Sequence, residues 1–454
     1  MRVATGLSVL VLGAGGIGHA VVSGLETGID RVDPFKDMKN RPQGGHGTNL
    51  LLVGTDGRDR ISEDEKKKYR LGGAPCHCTD TLMLVHLSAD KQRASVVSLP
   101  RDSYAEIPAH TDRTTGKQHS PHPVKLNAAY AEGGPQLTVR TVEQMTDIKI
   151  DHYLEVDFTS FMKTVDTVGG VEICTAKPLK DSYTGLDLSA GPHKLDGGQA
   201  LQYVRSRHVD GAADLARMQR QQKFMAALIK QVTSSGVLMN PVKFQQVASS
   251  MLDSVRADSG FGTGQMLELG KAMRRFTPAS SEFTSVPLEA DGYRVKGIGA
   301  TVKWDAAKAK KLFRALREDK PLTAHLPKQP KATLVAVAPQ QIRVQVYNGT
   351  PRDGLGQEVD AALRGTGFNT TRLPLNDGPD VLKRTLVRYD PRWDRSARSL
   401  AAALPGCELK AVKGQGATMK VTAGADFSGV RRVRGEDPQR GEFDAVTGDQ
   451  VVCP

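Results

Sequence analysis

Asn49-Leu50-Leu51-Leu52-Val53-Gly54 is the stretch of sequence that decides the fold. It is a continuous apolar run of the kind that forms a strand buried on both faces of an α/β sheet. Two more strand-like runs follow at residues 81–87 and 93–99, and a polar turn at 88–91 joins them. These three runs predict the centre of a sheet.

Helical patterns alternate with strand patterns in the next part of the chain. Residues 137–145 and 160–168 carry apolar residues at helical spacing, whereas residues 153–158 alternate as a strand does. Strands that alternate with helices predict a layered α/β domain that ends near residue 318. The clearest helix is predicted at residues 214–232, where five apolar residues share one face: Leu215, Met218, Met225, Leu228 and Ile229.

The composition is that of an ordinary globular protein with a basic charge balance. Of 454 residues, 39% are hydrophobic and 25% are charged, which excludes a wholly disordered chain and leaves room for two or three domains. The formal net charge of +12 indicates an anionic partner. Charge alone leaves open whether that partner is nucleic acid, an anionic membrane or wall polymer, or a phosphorylated substrate.

The first 25 residues have the pattern of a membrane segment. No charged residue occurs from Val3 to Leu25, a run long enough to cross a bilayer as a helix. Its glycines match G-x-G-x-x-G from Gly13 to Gly18. A dinucleotide-binding turn also needs a crossover helix and a second buried strand, and the chain continues instead into loops with proline and glycine. We therefore predict either a transmembrane anchor or a signal segment.

A second, smaller domain is predicted after a linker that contains several prolines. Residues 342–347 alternate as a strand, end in the turn Asn348-Gly349, and precede a helix at residues 356–364. The predicted parts of the chain are a membrane or signal segment at 1–25, a stalk at 26–46, a first domain at 47–318, a linker at 319–340, a second domain at 341–433 and a polar, loosely ordered tail at 434–454.

Five cysteines point to an oxidising compartment if they form disulfides. Cys407 and Cys453 lie alone in the last part of the chain, at a spacing that suits one disulfide. Either Cys76 or Cys78 could pair with Cys174, which leaves one thiol over. No C-x-x-C pair occurs, and this argues against a zinc site.

Two aspartates stand at the ends of predicted strands. Asp56 directly follows the first strand, and Asp80 directly precedes the next one. Two carboxylates in such positions could share one Mg²⁺, which takes one or two carboxylates together with substrate phosphates. Taken singly, each aspartate is more typical of a turn.

Arginines concentrate between Arg205 and Gln221, where they alternate with apolar residues. If residues 203–207 are extended, Arg205 and Arg207 lie on one side of the strand, and Arg217 stacks on Gln221 one helical turn later. Guanidinium groups gathered beside apolar residues repel one another unless an anion lies between them, and their planar fork matches phosphate oxygens. We therefore predict a pyrophosphate site here, with a solvated charged face as the alternative.

A further arginine, Arg101, follows Pro100 at a predicted strand end, where it could clamp a phosphate or simply pair with Asp102. Lys125 lies in a separate segment, Val124-Lys125-Leu126-Asn127.

Together these segments resemble the LytR–CpsA–Psr family of cell-envelope proteins. The region QIRVQVYNGTPRDGLGQEVDAALRGTGF also resembles the C-terminal domain that often follows in actinobacterial members. The resemblance implies a layered α/β/α catalytic domain around a mixed central sheet, plus a small C-terminal α/β domain. The matching pieces occur in the family's order over residues 48–230: NLLLVGTDGR, CTDTLML, VSLPRDSY, KLNAAYAEGG, HYLEVDF, VDTVGGVEI and LDGGQALQYVRSRH…DLARMQRQQKF.

The resemblance also implies an activity and its residues. Family members transfer glycopolymers from a polyprenyl-pyrophosphate carrier to peptidoglycan on the outer face of the membrane, with Mg²⁺ or Mn²⁺ as cofactor. A single-pass membrane protein with an extracytoplasmic phosphotransferase domain is therefore expected, with pyrophosphatase activity as a side reaction. Asp56 and Asp80 correspond to the metal ligands and, with Arg101, to the catalytic residues. The pyrophosphate-binding residues correspond to Arg101, Lys125, Arg205, Arg207, Arg217 and Gln221.

The chain departs from the family pattern at Cys78, where many members carry arginine. One phosphate contact is then either absent or supplied by Arg58. Arg220 and His208, although they belong to the same stretch, are not assigned to the site.

Two other functions are considered. Members of the family have often been labelled transcriptional attenuators, but here the basic residues are dispersed and no helix-turn-helix or zinc module is recognisable, so we expect no nucleic-acid partner. A non-catalytic binder of wall polymers is the other alternative, for which the second domain is the better candidate.

Overall fold

The computed structural model describes residues 30–58, 61–72, 79–209, 213–234, 255–262, 265, 270, 276–323, 332–377, 381–435 and 443–453. The predicted membrane segment at residues 1–25, as well as Cys76 and Cys78, lies outside these ranges. Among the helices of the described ranges, none combines the length and the apolar composition needed to cross a bilayer.

A mixed sheet of eight strands forms the centre of the first domain. The spatial order is β1-β6-β5-β2-β3-β4-β7-β8, in which β1/β6, β5/β2 and β4/β7 are parallel and the other neighbours are antiparallel. The strands in chain order are β1 (Asp30–Val32), β2 (Thr48–Thr55), β3 (Thr79–Leu87), β4 (Ala94–Leu99), β5 (His152–Val156), β6 (Val255–Asp258), β7 (Ser281–Ser285) and β8 (Val446–Thr447).

Helices cover both faces of this sheet, so the first domain has three layers, as predicted. Helices α2 and α6 pack on one face, and α3, α4 and α5 pack on the other. Alternation along β2 separates the two faces, because Leu51 and Val53 are fully buried under α2 and α6 while Leu50 and Leu52 point the opposite way. Within the described ranges, the first domain contains helices α1 (Glu63–Lys68), α2 (Ala128–Thr146), α3 (Phe158–Thr167), α4 (Gly197–Arg205), α5 (Ala213–Ser234) and α6 (Ala306–Arg317).

Local signals in the sequence explain where the helices around the site begin. Asp157 caps α3 by accepting the N–H of Ser160, and Asp196 forms a reciprocal capping box with Gln199 at the start of α4. Helix α2 is kinked at Gly134, whose φ of +66° is not helical, and this explains why helical spacing is clear only beyond that point.

The remaining strands of the first domain form two-stranded antiparallel pairs beside the central sheet. A short 3₁₀ helix at Pro278–Ser280 precedes β7. The pairs are Tyr104–Ile107 with His122–Lys125, His110–Thr111 with Gln118–His119, Val171–Thr175 with Gly191–Leu195, Leu179–Asp181 with Leu186–Leu188, and Leu288–Val295 with Gly299–Trp304.

The second domain is a small α/β unit with its own core, as predicted. Helices α7 (Leu355–Gly365) and α8 (Asp394–Ala403) pack on its sheet, with 3₁₀ helices at Pro339–Gln341 and Pro391–Trp393. Thr333–Leu334 pairs with Val433–Arg434. The sheet has the strand order Asn369–Thr370, Arg343–Asn348, Met419–Ala423, Leu386–Tyr389 and Glu408–Ala411, and Leu375–Asn376 also pairs with the second of these.

The predicted stalk at residues 26–46 is only partly correct. Residues 26–29 are outside the described ranges, but β1 is an edge strand of the central sheet, and Phe35 and Met38 pack against its core. The segment is predicted as a stalk because it is mostly polar and contains proline, but its few apolar residues attach it to the first domain.

The predicted loosely ordered tail at residues 434–454 contains regular secondary structure in its described part, residues 443–453. Residues 443–453 return to the first domain, where β8 extends the central sheet beside β7 and a short helix, α9 (Gly448–Val451), packs on α5. Buried Ala445 and Val446 explain the attachment, because their apolar side chains complete the two cores.

The disulfide is also different from the predicted pairing. Cys453 is bonded to Cys174, with a Cα–Cα distance of 5.2 Å, and Cys407 carries a free thiol. Cys407 lies in the second domain, whereas the returning tail places Cys453 beside the strand that ends with Cys174 and Thr175. Separation along the sequence could not reveal that return.

We expect Cys453→Ser to lower the melting temperature of the first domain by on the order of 5–10 °C, because a lost disulfide costs about 2–4 kcal/mol. Differential scanning calorimetry measures the change, and Cys407→Ser is the matched control that leaves the melting temperature unaltered. A peptide map that links Cys453 to Cys407 would contradict the assignment.

Candidate active site

A cavity of 1260 Å³ lies between the central sheet and the helices α3, α4 and α5. It follows β2 and β3 along their length, from Asp56 and Asp80 at one end to Gly47 and Ser88 at the other. At about 3.3 Å per residue, the strand from Gly47 to Asp56 spans roughly 30 Å. The cavity is therefore a channel, with polar residues at one end and apolar residues along its walls.

The register of β2 and β3 brings the two predicted aspartates to the same end of the channel. Gly54 pairs with Thr81 and Thr55 with Thr79, so Asp56 leaves β2 where Asp80 enters β3. Both carboxylates line the cavity, although Asp56 is only 5% exposed and Asp80 is partly exposed. The predicted pair of carboxylates is thus present at one end of the sheet.

An arginine holds each of these carboxylates. Arg58 binds Asp56 with two parallel hydrogen bonds of 2.5 Å, from Nε to Oδ1 and from Nη2 to Oδ2. Arg101 donates from Nη1 to Oδ1 of Asp80. Because each carboxylate oxygen can accept more than one partner, both groups keep lone pairs for a further ligand.

Two of the predicted phosphate-binding residues do not line the cavity. Arg58 is buried behind Asp56, where it also donates to the carbonyl oxygens of Leu71 and Gly72 at 2.7 Å. Lys125 forms an ion pair of 3.2 Å with Asp102. The structure therefore gives Arg58 the role of orienting Asp56 and leaves Lys125 next to the site.

Arg205 lines the cavity, but not for the reason that the sequence suggested. Helix α4 continues to Arg205, so residues 203–205 are helical and not extended. The capping box at its start favours the helix, and the chain leaves helical geometry only at Ser206. The guanidinium group of Arg205 lies 5.1 Å from the ring centroid of Phe158, a cation–π contact at the polar end of the channel.

Arg101 and the other predicted residues of the arginine stretch also lie on the cavity wall; those of the stretch are Arg207, Arg217 and Gln221. Gln221 donates to Thr81 Oγ1 at 3.0 Å, which joins α5 to β3. Arg207 and Arg217 both approach Asp214, with distances of 3.3 and 3.2 Å. Five of the predicted cations and amides thus meet the two aspartates at one end of the channel.

Positive charge at this end is incompletely balanced. Buried nitrogen atoms of three arginines have no hydrogen-bond partner among the described residues: Arg101 Nε, Arg205 Nη1 and Arg217 Nε. Burial, reinforced by the charge of Arg207, lowers the pKa of Arg217 to about 10. Burial and the neighbouring charge of Arg58 likewise lower the pKa of Arg205. A bound anion would supply both the missing acceptors and the missing negative charge.

Comparison with known proteins identifies the family of the chain. Residues 21–318 match the model of the LytR_cpsA_psr family, and residues 341–427 match a model described as LytR cell envelope-related transcriptional attenuator. The chain belongs to the LytR–CpsA–Psr family.

Three curated relatives illustrate the range of this LytR–CpsA–Psr family. The chain is 35% identical over 292 residues to the probable cell wall biosynthesis protein LcpB of Corynebacterium glutamicum, covering 64% of this chain and 65% of LcpB. It is 28% identical over 477 residues to the cell wall biosynthesis protein LcpA of the same organism, covering 99% and 89%. It is 29% identical over 310 residues to the polyisoprenyl-teichoic acid–peptidoglycan teichoic acid transferase TagU of Bacillus cereus, covering 66% and 91%.

Three residues at the mouth of the channel of this LytR–CpsA–Psr protein are absent from the predicted site. Asp181, Tyr183 and His208 line the cavity beside Arg207. His208 belongs to the arginine stretch, whereas Asp181 and Tyr183 lie in a hairpin some 25 residues earlier. The proximity arises from tertiary packing, so no spacing in the sequence could have indicated it.

We expect Arg217→Met to stabilise the unliganded protein by about 1–3 kcal/mol, because a buried, poorly paired guanidinium is replaced by an apolar side chain of similar length. A base whose pKa is lower in the folded state than in the unfolded state destabilises the fold while it is charged, which is the case for Arg217 below pH 10. The same substitution should reduce the rise in melting temperature on adding inorganic pyrophosphate.

Thermal unfolding with and without pyrophosphate measures both effects. Arg314→Met, on the exposed face of α6, is the matched control that changes neither. A lower melting temperature for Arg217→Met in the absence of ligand would show that this arginine is a structural residue and not a strained ligand group.

Proposed function

We propose that this protein transfers a glycopolymer from a polyprenyl-pyrophosphate carrier to peptidoglycan during assembly of the cell wall. The observation that carries the proposal is the union, in one cavity, of an arginine-rich end with an apolar channel. A polyprenyl pyrophosphate has the same two parts, a polyanionic head and a long hydrocarbon tail. The names of the relatives support the proposal, since TagU is named for a polyisoprenyl-linked donor and a peptidoglycan acceptor, and LcpA and LcpB for cell wall biosynthesis.

The apolar walls suit a hydrocarbon tail in direction and in composition. They begin directly beyond the arginines and continue along α5 for two turns past Gln221. Removing a hydrocarbon chain from water into such a channel is favourable in proportion to the apolar area that is buried. Six residues illustrate the walls, three from the strands and three from the helices: Leu50, Leu52 and Val85, and Phe161, Phe224 and Leu228.

Asp56 and Asp80 fit a divalent cation. Two carboxylates that line the same end of a cavity, with free lone pairs, are the donor set that Mg²⁺ takes together with phosphate oxygens, and Mn²⁺ accepts the same donors. When bound there, the cation would neutralise part of the charge on the pyrophosphate. Arg58, with its two bonds to Asp56, would hold that carboxylate in a fixed orientation.

The arginines position the reacting group for phosphoryl transfer. Arg101, Arg205 and Arg217 offer unpaired, buried donors to the pyrophosphate oxygens. An acceptor hydroxyl then attacks the phosphorus that carries the sugar, and a new P–O bond forms as the bridging P–O bond breaks. The bridging oxygen leaves with polyprenyl phosphate, and the proton of the hydroxyl passes to this leaving phosphate, directly or through water. Positioning and electrostatic stabilisation supply most of the rate in such reactions. Water in place of the acceptor would give the pyrophosphatase side reaction.

We also propose that the first domain lies outside the cytoplasm, attached to the membrane by residues 1–25. The Cys174–Cys453 disulfide supports this, because disulfides persist in oxidising compartments. Peptidoglycan, the proposed acceptor, lies on that side of the membrane.

We expect Asp80→Asn in the full chain to reduce the rate of transfer by about 10²–10³-fold. The substitution replaces a negatively charged carboxylate, which contributes to stabilisation of the transition state, by a neutral amide. The measurement is the release of polyprenyl phosphate from a glycan-linked polyprenyl pyrophosphate with Mg²⁺ and peptidoglycan oligosaccharides. Asp187→Asn, on an exposed hairpin, is the control that keeps the parental rate. A parental protein that releases no polyprenyl phosphate would overturn the proposed function.

We expect Leu228→Trp to discriminate between long and short prenyl tails. Leu228 lies seven residues beyond Gln221 on α5, or about 10 Å along the helix, so an indole there would obstruct the channel below the phosphate site. Binding of a long-chain polyprenyl pyrophosphate should weaken by at least tenfold, while geranyl pyrophosphate should bind as it does to the parental protein. Equal effects on both ligands would show that the tail does not enter this channel.

A further inference from the structure

An exposed aromatic stack stands at the mouth of the channel. The ring of Tyr183 lies 4.2 Å from that of His208, centroid to centroid, with an angle of 27° between the planes. Tyr183 is 72% exposed, and both rings line the cavity beside Arg207. Neither ring contributes to a hydrophobic core of the described residues, so packing does not explain why two flat side chains are held together here.

A buried carboxylate fixes this stack. Asp181 is 1% exposed and accepts the backbone N–H groups of Tyr183 at 2.9 Å and Thr184 at 3.4 Å, and those of Arg207 at 2.9 Å and His208 at 3.2 Å. One side chain thus joins the hairpin that carries Tyr183 to the segment that carries Arg207. Burial opposes the ionised form of Asp181, but these backbone donors outweigh it and lower its pKa.

We propose that Tyr183, backed by His208, is a saccharide-binding platform for the sugar that is attached to the pyrophosphate. The proposal rests on the function proposed above and names the contact for the glycan of that same substrate. The C–H groups on one face of a pyranose ring form an apolar surface that packs on an aromatic ring, while its hydroxyls remain in water. Asp181 holds the backbone of Arg207 close to that of Tyr183, so a sugar linked to a phosphate bound by Arg207 would lie within reach of the Tyr183 ring.

The surroundings of Tyr183 indicate that the donor glycan, and not the prenyl tail, packs on its ring. The apolar channel extends in the other direction, along α5. Tyr183 also borders a second, open groove of 670 Å³, in which three cationic residues, Lys66, Lys67 and Arg70, outnumber the one acidic residue, Glu63. A polymer that crosses the ring would therefore continue along a basic groove, which suits a glycan with anionic substituents.

The test compares two lipids, one carrying a glycan on its pyrophosphate and one carrying none. For the full chain, we expect Tyr183→Ala to weaken binding of the glycosylated lipid by about tenfold, the loss expected for one aromatic contact, and to leave binding of sugar-free polyprenyl pyrophosphate within about twofold. Tyr183→Phe keeps the aromatic face and should recover most of the affinity. Tyr293→Ala removes another exposed tyrosine, away from the cavity, and serves as the matched control.

The outcomes of this binding test distinguish failure of the saccharide platform from failure of the proposed function. Equal weakening for both lipids, or no weakening for either, overturns the platform while the proposed function stands. A Tyr183→Ala protein that binds the glycosylated lipid normally but shows a raised KM for the peptidoglycan acceptor places an acceptor sugar on the ring, and this also overturns the proposal. A parental protein that binds neither lipid contradicts the proposed function itself.

Discussion

The antiparallel pairing of β2 with β3 is the constraint on which the rest of the structure depends. It places Asp56 and Asp80 at one end of the sheet, and period-two alternation sends Leu51 and Val53 into the core while Leu50 and Leu52 form the floor of the channel. A shift of one residue in this register would exchange the two faces of β2 and remove both features together. The polar and apolar ends of the site are therefore consequences of one pairing.

The site combines this rigid floor with a charge distribution that is unfavourable without a ligand. Burial lowers the pKa of Arg205 and of Arg217, and buried nitrogen atoms on both side chains have no acceptor among the described residues. Buried, poorly satisfied charge lowers stability, and proteins retain it mainly where function requires it. Asp56 differs, since its bidentate bond to Arg58 balances one carboxylate internally. The excess positive charge is thus confined to the arginines that face the channel.

Much of the fold could be predicted because many of its strands and helices have a recognisable hydrophobic pattern within their own sequence. The apolar run at residues 49–54, the alternation at 153–158 and the helical face of α5 each identify an element without knowledge of its neighbours. The site residues Asp56, Asp80 and Arg101 could also be found, because they lie at the ends of such elements.

What could not be predicted depends on contacts between distant segments. The Tyr183–His208 stack needs the hairpin to pack beside α4, and the Cys174–Cys453 disulfide needs the chain to return after a complete second domain. The extended conformation considered for residues 203–207 is wrong for residues 203–205 for a different reason, because alternation over five residues is weaker evidence than the capping box of Asp196 and Gln199.

The returning segment gives the second domain two attachments to the first, both at one buried residue. Glu282 in β7 accepts the N–H groups of Leu322 and Thr323, where the chain leaves the first domain, and its backbone pairs with Thr447 where the chain comes back. Beyond Thr447, Lys230 of α5 donates to the carbonyl oxygen of Cys453 at 2.8 Å. Two attachments restrict motion more than one linker would. Because α5 also carries Arg217 and Gln221, the returning segment supports the helix that forms one wall of the proposed pyrophosphate site.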